Sequence, residues 1–480
     1  MSVVAGEIAS VPKHSNMVTR LSRSPVFYIF LLVAACKLGF YIADPYPSFQ
    51  FGDSGAYLAT ALIKYIPPDR SFTYGFLLRP LVLHSHSFRP VLLLQILASG
   101  AASVLLGTFL LRYFRAKPAL AVASAVISAI EPLQLMAERF IMSEAVATFG
   151  FALYLSLAAS FLKSRRILPL IAAQIAGVLL VTLRYSFLPL VLILSVALPI
   201  LAAYTTGRIN WRAFLIRLVC AVAVSQMLFA GYRHLYGFLA HTKPAYLSRD
   251  GDFLLADMAP IITTGDFPIP AERVRFLQRL RIPLNDLRNR RLHRWVDGGL
   301  CQVVLEIANG DEELANKLAR KTALRAMTRD PAGVLRLAFS TYKQFFSHKY
   351  LVWALQLNEG HFVGPTANDV KMIRDWFGVD AMDRKYESVT KKWQGSSALW
   401  CGLMVGLPWL YLIEMLWHRK QVSAVDWLLL FCAYSLLGCA IGPVDVAYPR
   451  YLMPLPWLSV LIIGVMVARL IRSTGDIPAR

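Results

Sequence analysis

Acidic side chains are scarce in this chain: 29 Asp and Glu stand against 50 Lys and Arg, a formal charge of +21. In a soluble protein that balance would point to a polyanion. In a chain this apolar, a basic excess reflects topology and anionic lipid head groups, so no nucleic-acid partner is expected. Cysteine is sparse too, with six in 480 residues. Cys36, Cys220, Cys401, Cys432 and Cys439 fall in apolar stretches and only Cys301 in a polar one. With no CxxC pair, neither a disulfide framework nor a thiolate metal site is expected. No P-loop, GxSxG, HExxH or EF-hand spacing occurs, and no repeat or low-complexity tract, so no cofactor or metal is indicated. None of the eight asparagines stands in an N-x-Ser/Thr context. That absence favours a bacterial membrane over a eukaryotic secretory one.

Apolar length is what the sequence has in abundance. It is 56% hydrophobic with a mean hydropathy of +0.51, and several runs reach the roughly 20 residues that cross a bilayer. Ten segments emerge, at 26–42, 91–111, 118–134, 144–162, 167–183, 186–204, 213–231, 397–417, 424–442 and 452–471. Residues 1–25 are polar and basic, with no small-residue cleavage site after the first run, so 26–42 reads as a retained anchor. Every second junction is basic: Arg112, Arg115 and Lys117 follow the second segment, Lys163, Arg165 and Arg166 the fourth, Arg208 and Arg212 the sixth, Arg419 and Lys420 the eighth. The positive-inside rule assigns these junctions and both termini to the cytoplasm. The expectation is an all-α polytopic membrane protein of about 10 transmembrane helices, multi-pass in a bacterial inner membrane.

Chemically capable residues collect at the alternate, outward junctions. The first, 43–90, holds Asp44, Asp53, Asp69, Arg70, Arg79, His84, His86 and Arg89. Its apolar stretches 57–66 and 74–83 are too short to span and suit interfacial helices. Asp53 lies between Gly52 and Gly55, with Tyr57 one helical turn on. Alone, such an acid is most simply a solvated cap for a helix starting at Ser54. His84 and His86, two apart, would share a face on a strand but not on a helix, so they read as interfacial histidines rather than metal ligands. The second outward junction brings Glu131, Glu138, Arg139, Ser143 and Glu144. Capping by Ser143 accounts for one glutamate, not for three carboxylates beside apolar spans, where an unpaired charge is costly. Arg184 and Tyr185 form the third, and Tyr448, Pro449, Arg450 and Tyr451 the last. Arginine suits bidentate contact with phosphate, whereas the tyrosines also fit the interfacial belt.

The longest outward region, 232–396, has 25 Lys and Arg against 18 Asp and Glu, mixed and mildly basic. Helix-compatible patterns at 271–280, 297–307, 312–327 and 332–346 predict a mainly helical outward domain between an N-terminal transmembrane module, 1–231, and C-terminal helices, 397–480. The run Arg288, Asn289, Arg290, Arg291, His293 and Arg294 reads first as a solvated basic face, then as a contact for lipid head groups or an anionic acceptor. The sequence Gly310, Asp311, Glu312, Glu313 reads as a helix start.

This layout resembles the GT-C glycosyltransferases, and within them the branch of protein O-mannosyltransferases and lipid-A aminoarabinose transferases. Asp53 with Tyr57 and Ala61 resembles that family's Asp-x3-Tyr-x3-Ala pattern; Glu138 with Ser143 and Glu144 resembles its Glu-x4-Ser-Glu pattern; Arg450 and Tyr451 with Pro454 and Pro456 lie near the last span, as there. Many members carry an Asp-Glu pair in the first loop, where this chain has Asp53 and Ser54. The resemblance implies an inverting transferase with a polyprenyl-phosphate-linked sugar as donor, a glycan, lipid or protein as acceptor, and an active site on the periplasmic side. Asp53 would be the catalytic base. Tyr57, Glu138, Arg139, Glu144, Arg184, Tyr185, Tyr448 and Arg450 are the candidate substrate-binding residues.

An O-antigen-ligase-like transferase is the nearest alternative, and would rely on Arg233 and His234 in the long loop. A flippase or other transporter should place charges at mid-membrane in related halves, whereas Arg217, Glu414 and Asp426 fall near segment ends. A non-catalytic scaffold would leave the acids at span ends unexplained. The topology has a direct test. A cysteine at Gly310, in a background lacking Cys301, is expected to react with an impermeant thiol reagent in intact cells; labelling only after permeabilisation would reverse the assignment.

Overall fold

A computed structural model describes residues 24–50, 52–204, 210–270, 274–285, 290–358, 366–382, 392–393, 395–442, 444 and 447–475. Among them are twenty α-helices, and the extended backbone forms a single isolated bridge, between Ser48 and Phe140. The chain opens with α1 (Pro25–Ala43), continues through α2 (Asp53–Ile63), α3 (Thr73–Ser85) and α4 (Arg89–Phe114), and then forms α5 (Pro118–Ile130) and α6 (Pro132–Arg139). The membrane-sized helices α7 (Glu144–Ser164), α8 (Ile167–Leu183), α9 (Leu188–Tyr204) and α10 (Trp211–Ala240) follow.

Among the described residues eight helices are long and apolar enough to cross a membrane: α1, α4, α7, α9 taken with the 3-10 turn before it (Tyr185–Tyr204), α10 and, near the C-terminus, three described below. Two of the ten expected segments take other forms. One is the 17-residue apolar helix α8, and the other, expected as continuous over 118–134, is the pair α5 and α6 bent by 47°. The bend has a local cause. Pro132 has no N–H to continue α5, and the Glu131 side chain accepts from Gln134 N at 2.7 Å, capping a new helix. Proline in the first turn also opens α1, α4 and α5. The buried face of α5 is Ala121, Ser124, Ala125, Ser128 and Ala129, small side chains that let α1 and α4 pack closely where no hydrophobic force separates protein from lipid.

Residues 43–90 form α2 and α3 in the expected places, packed on each other. Beyond α10, which continues nine residues past the expected end of its apolar segment, lie α11 (Asp250–Met258), α12 (Leu292–Trp295), α13 (Leu300–Ile307), α14 (Glu312–Arg329), α15 (Pro331–Gln344), α16 (His348–Asn358) and α17 (Ala367–Phe377). Leu255, Met258, Leu300, Val304, Ala319, Ala323 and Leu337 form a core of their own here. The expected helix start at Asp311 is present, its side chain accepting from Leu314 N, and Asp330 caps α15 through Gly333 N. Two expectations change. Within 271–280, residues 275–279 are a 3-10 turn and 271–273 lie outside the described residues; the helix expected from 297 starts at Leu300, because Gly298 has a φ of +78°.

Helices of this region return to the bundle. α15 packs on α19 (Ala424–Ile441), which lies between α18 (Ser397–Trp417) and α20 (Leu455–Gly475) and completes with them the eight spanning helices. α17 lies over the first loop: Trp376 stacks on His86, Phe377 meets Phe88 with ring centroids 4.0 Å apart, and Asp369 lies so near Gly55 that a Cβ there would fall 2.1 Å from its Oδ1.

Buried charge ties both ends of the bundle. At the end near the first loop, Lys37 of α1 forms an ion pair with Glu138 of α6 and donates to Ser99 Oγ at 3.0 Å, while Gln134 Nε2 donates to the same hydroxyl at 2.7 Å. At the opposite end Arg469 of α20 pairs with Glu414 of α18 and with Asp426 of α19, which also accepts from Tyr411 at 2.7 Å. Removing one partner of such a pair leaves an uncompensated charge, worth about 3 to 5 kcal/mol. Lys37→Met should therefore lower stability by that order, and adding Glu138→Gln should recover most of it; thermal unfolding of the purified variants in one detergent measures both.

Candidate active site

Asp53 is the first residue of α2, and Gly52 before it has a φ of +71°, a left-handed turn that glycine adopts without strain. The turn aims the carboxylate away from its own helix. Arg70 donates to Asp53 Oδ1 and Arg450 to Asp53 Oδ2, so each oxygen meets a different guanidinium. The simple capping role does not hold: Ser54 is buried and accepts from Gln50 N at 2.8 Å, and α2 has no side-chain cap bond. The Asp53 side chain keeps 27% of its surface exposed, so a substrate can reach it.

Both arginines are held from behind. Arg70, in the segment between α2 and α3, also donates to Gly52 O at 3.2 Å, and its other edge grips Asp69 in a bidentate pair at 3.0 and 2.9 Å. Arg450 sits in the 3-10 turn Pro449–Leu452 before α20, its guanidinium 5.1 Å from the Tyr451 ring centroid and 5.7 Å from that of Tyr448. Arg184 approaches from the turn between α8 and α9, donating to Arg450 O at 3.3 Å with Nη1 3.7 Å from Glu144 Oε1. Arg450 Nε and Arg184 Nη1 are buried N–H donors without a hydrogen-bond partner, and Glu144 Oε2 is a buried acceptor without one. Tyr57 is buried edge-on against Tyr74. Ser143 occupies the cap position of α7 without making the cap bond.

Charge sets the protonation states. Burial by itself would raise the Asp53 pKa, but the Arg70 and Arg450 guanidiniums outweigh it and hold the carboxyl well below the usual carboxylate range. Asp69 is depressed in the same way: burial opposes, and the hydrogen bonds and charge of Arg70, with Arg294 behind, prevail. Tyr57 goes the other way, pushed up to about 12 by burial and by the nearby Glu144 charge.

The long region 232–396 reaches this site through its basic run. Arg294 donates to Asp69 Oδ2 at 3.1 Å with its guanidinium over Phe253, and Arg291 donates to the Tyr448 hydroxyl. Arg290 is buried, donating to Asp257 O at 3.1 Å and Thr341 Oγ1 at 3.0 Å, and His293 is buried as well. A solvated basic face is therefore not what these residues form. The fork of Arg290 joins separate segments of the chain, a use that spacing alone does not disclose. Arg288 and Asn289 lie outside the described residues.

Of the residues singled out in the sequence, Asp53, Tyr57, Glu144, Arg184, Tyr448 and Arg450 come together. Glu138 and Arg139 join a neighbouring buried group: Glu138 pairs with Lys37, and Arg139 donates to Phe40 O at 3.0 Å and lies 3.9 Å from Asp44. Tyr185 packs on Tyr246, with ring centroids 5.5 Å apart. Arg70, Asp69 and Arg294 are site residues that the motifs did not mark. The signal for Asp69 and Arg70 was an adjacent acid and base between two short helices, and that for Arg294 its place in the basic run.

These observations define a class: an all-α, multi-pass membrane protein with an ion-paired carboxylate at one end of its bundle. No family model matches the chain, and no curated protein matches it. Among solved structures, the crystal structure of ArnT from Cupriavidus metallidurans bound to undecaprenyl phosphate is similar over 94% of this chain and 80% of that one, at 10% identity and a TM-score of 0.35. A likeness this loose transfers neither an activity nor a residue role.

The depressed carboxyls fix a pH dependence. A carboxyl with a folded-state pKa below its unfolded value stabilises the fold above the unfolded value, about 4, and that contribution is lost as pH falls through the folded one. The thermal midpoint should drop as pH goes below about 4, and Asp69→Asn should already start lower at neutral pH and show a shallower acid drop. A parallel acid profile in the variant would remove Asp69 from the linkage.

Proposed function

We propose that the chain is an integral-membrane inverting glycosyltransferase of the GT-C type, moving a sugar from a polyprenyl-phosphate carrier to an acceptor on the outer side of a bacterial inner membrane. The observation that carries this reading is a solvent-reachable carboxylate flanked by arginines from the first outward loop and from the last span. The acceptor is a glycan, a lipid or a protein.

The reaction follows from those groups. The acceptor hydroxyl oxygen attacks the anomeric carbon from the face opposite the phosphate, and Asp53 takes the hydroxyl proton as the new C–O bond forms. The bond from the anomeric carbon to the phosphate oxygen breaks, its electron pair stays on that oxygen, and the product is the carrier phosphate. Arg70, Arg450 and Arg184 offset the negative charge that builds there. Tyr57 stays a neutral hydroxyl across the working pH range and is suited to donate to a substrate oxygen. The donor arrives already activated, so no nucleotide-binding motif is required.

A positioned base contributes about 10² to 10⁴-fold in rate, so Asp53→Asn should lower turnover per folded molecule by that order. Membranes of a strain carrying only this variant should accumulate the lipid-linked sugar and lack the corresponding glycan mass. Wild-type turnover in the purified variant would take Asp53 out of the mechanism, and a deletion strain with an unchanged pool of lipid-linked sugars would remove the donor class.

A further inference from the structure

A general base needs an oxygen with a lone pair open to the acceptor and enough basicity to take its proton. In the structure both oxygens of Asp53 already carry a guanidinium, Arg70 on Oδ1 and Arg450 on Oδ2, so the lone pairs left to an acceptor have little basicity. The arginines, by contrast, are fixed without it. Asp69 holds the far edge of Arg70 and is itself held by Arg294, while Arg450 rests against two tyrosine rings. Arg450 Nε and Arg184 Nη1 are buried N–H donors on the same cationic surface that no acceptor in the protein satisfies. A carboxylate on a single short side chain, at the first residue of a helix, is the movable member of the set.

We infer that Asp53 is an internal ligand of the anion site formed by Arg70 and Arg450, and that a phosphate ester binds by displacing it. On the donor reading above, on which this mechanism rests, arrival of the lipid-borne phosphate is what releases the base. The phosphate supplies several oxygens to two preset guanidiniums, and like charge pushes the carboxylate off them. Freed of two cations, Asp53 regains ordinary basicity, and the acceptor then meets it. Binding is therefore ordered, donor before acceptor. No bond is made or broken in this step; one anion replaces another.

The latch has an unusual signature: removing the carboxylate should improve phosphate binding. A ligand that must first displace an internal group binds more weakly by the fraction of time the site is open. The probes are inorganic phosphate and farnesyl phosphate, with farnesol as the uncharged control, titrated calorimetrically against the full-length protein in one detergent. Asp53→Asn is expected to bind both phosphates at least about tenfold more tightly than wild type, with farnesol unaffected and an Arg70→Gln, Arg450→Gln double variant binding neither anion. Asp53→Ser serves as a second charge-removing variant should the asparagine form unfold. Unchanged or weaker phosphate binding in both folded variants overturns the latch while leaving the donor reading intact if farnesyl phosphate still outbinds inorganic phosphate. Tightening with no gain from the isoprenyl chain supports the latch and counts against the lipid donor. No anion binding in any form overturns both.

Discussion

Two guanidiniums converging on one carboxylate hold together parts of the chain that nothing else in the sequence connects. Arg70 lies 17 residues from Asp53 and Arg450 lies 397 residues away, so this one contact draws the last span against the first outward loop. Much of the surrounding structure serves it. The left-handed turn at Gly52 aims the carboxylate, Asp69 and Arg294 fix one guanidinium, and the tyrosines at 448 and 451 support the other. Charge in such a place is expensive unless paired, and here pairing is also what makes the site chemically capable.

Most of the architecture was legible from the sequence, for a simple reason. A bilayer accepts almost only helices, so apolar length and the alternation of basic junctions leave few choices. The two short helices α2 and α3 followed from apolar stretches too short to span. The break between α5 and α6 was written in Glu131 and Pro132, but apolar residues on both sides masked it. Asp53 and Arg450 stood out because each lies beside a span on the same side by count.

What the sequence hid were partners. Lys37 stands in an apolar run, and nothing in its neighbourhood names Glu138, 101 residues on. Asp69 and Arg70, being adjacent, look like a pair that satisfies itself on a surface, although the same arginine reaches Asp53. The basic run at 290–294 looked solvated because density of charge is visible in a sequence and burial is not. Its members divide between a structural fork at Arg290 and contacts to the site at Arg291 and Arg294. In each case a side chain acts through a residue brought near by packing, and spacing carries no record of that.

Helix α10 has one more implication. Its 30 residues make a rod of about 45 Å, against a hydrocarbon layer of about 30 Å, and near its far end Tyr236 donates to Pro67 O at 3.2 Å, two residues before Asp69. The rod overshoots the membrane and is moored to the loop that presents Arg70. Hydrophobic mismatch is relieved by tilting, so the height of that loop above the head groups becomes a function of bilayer thickness.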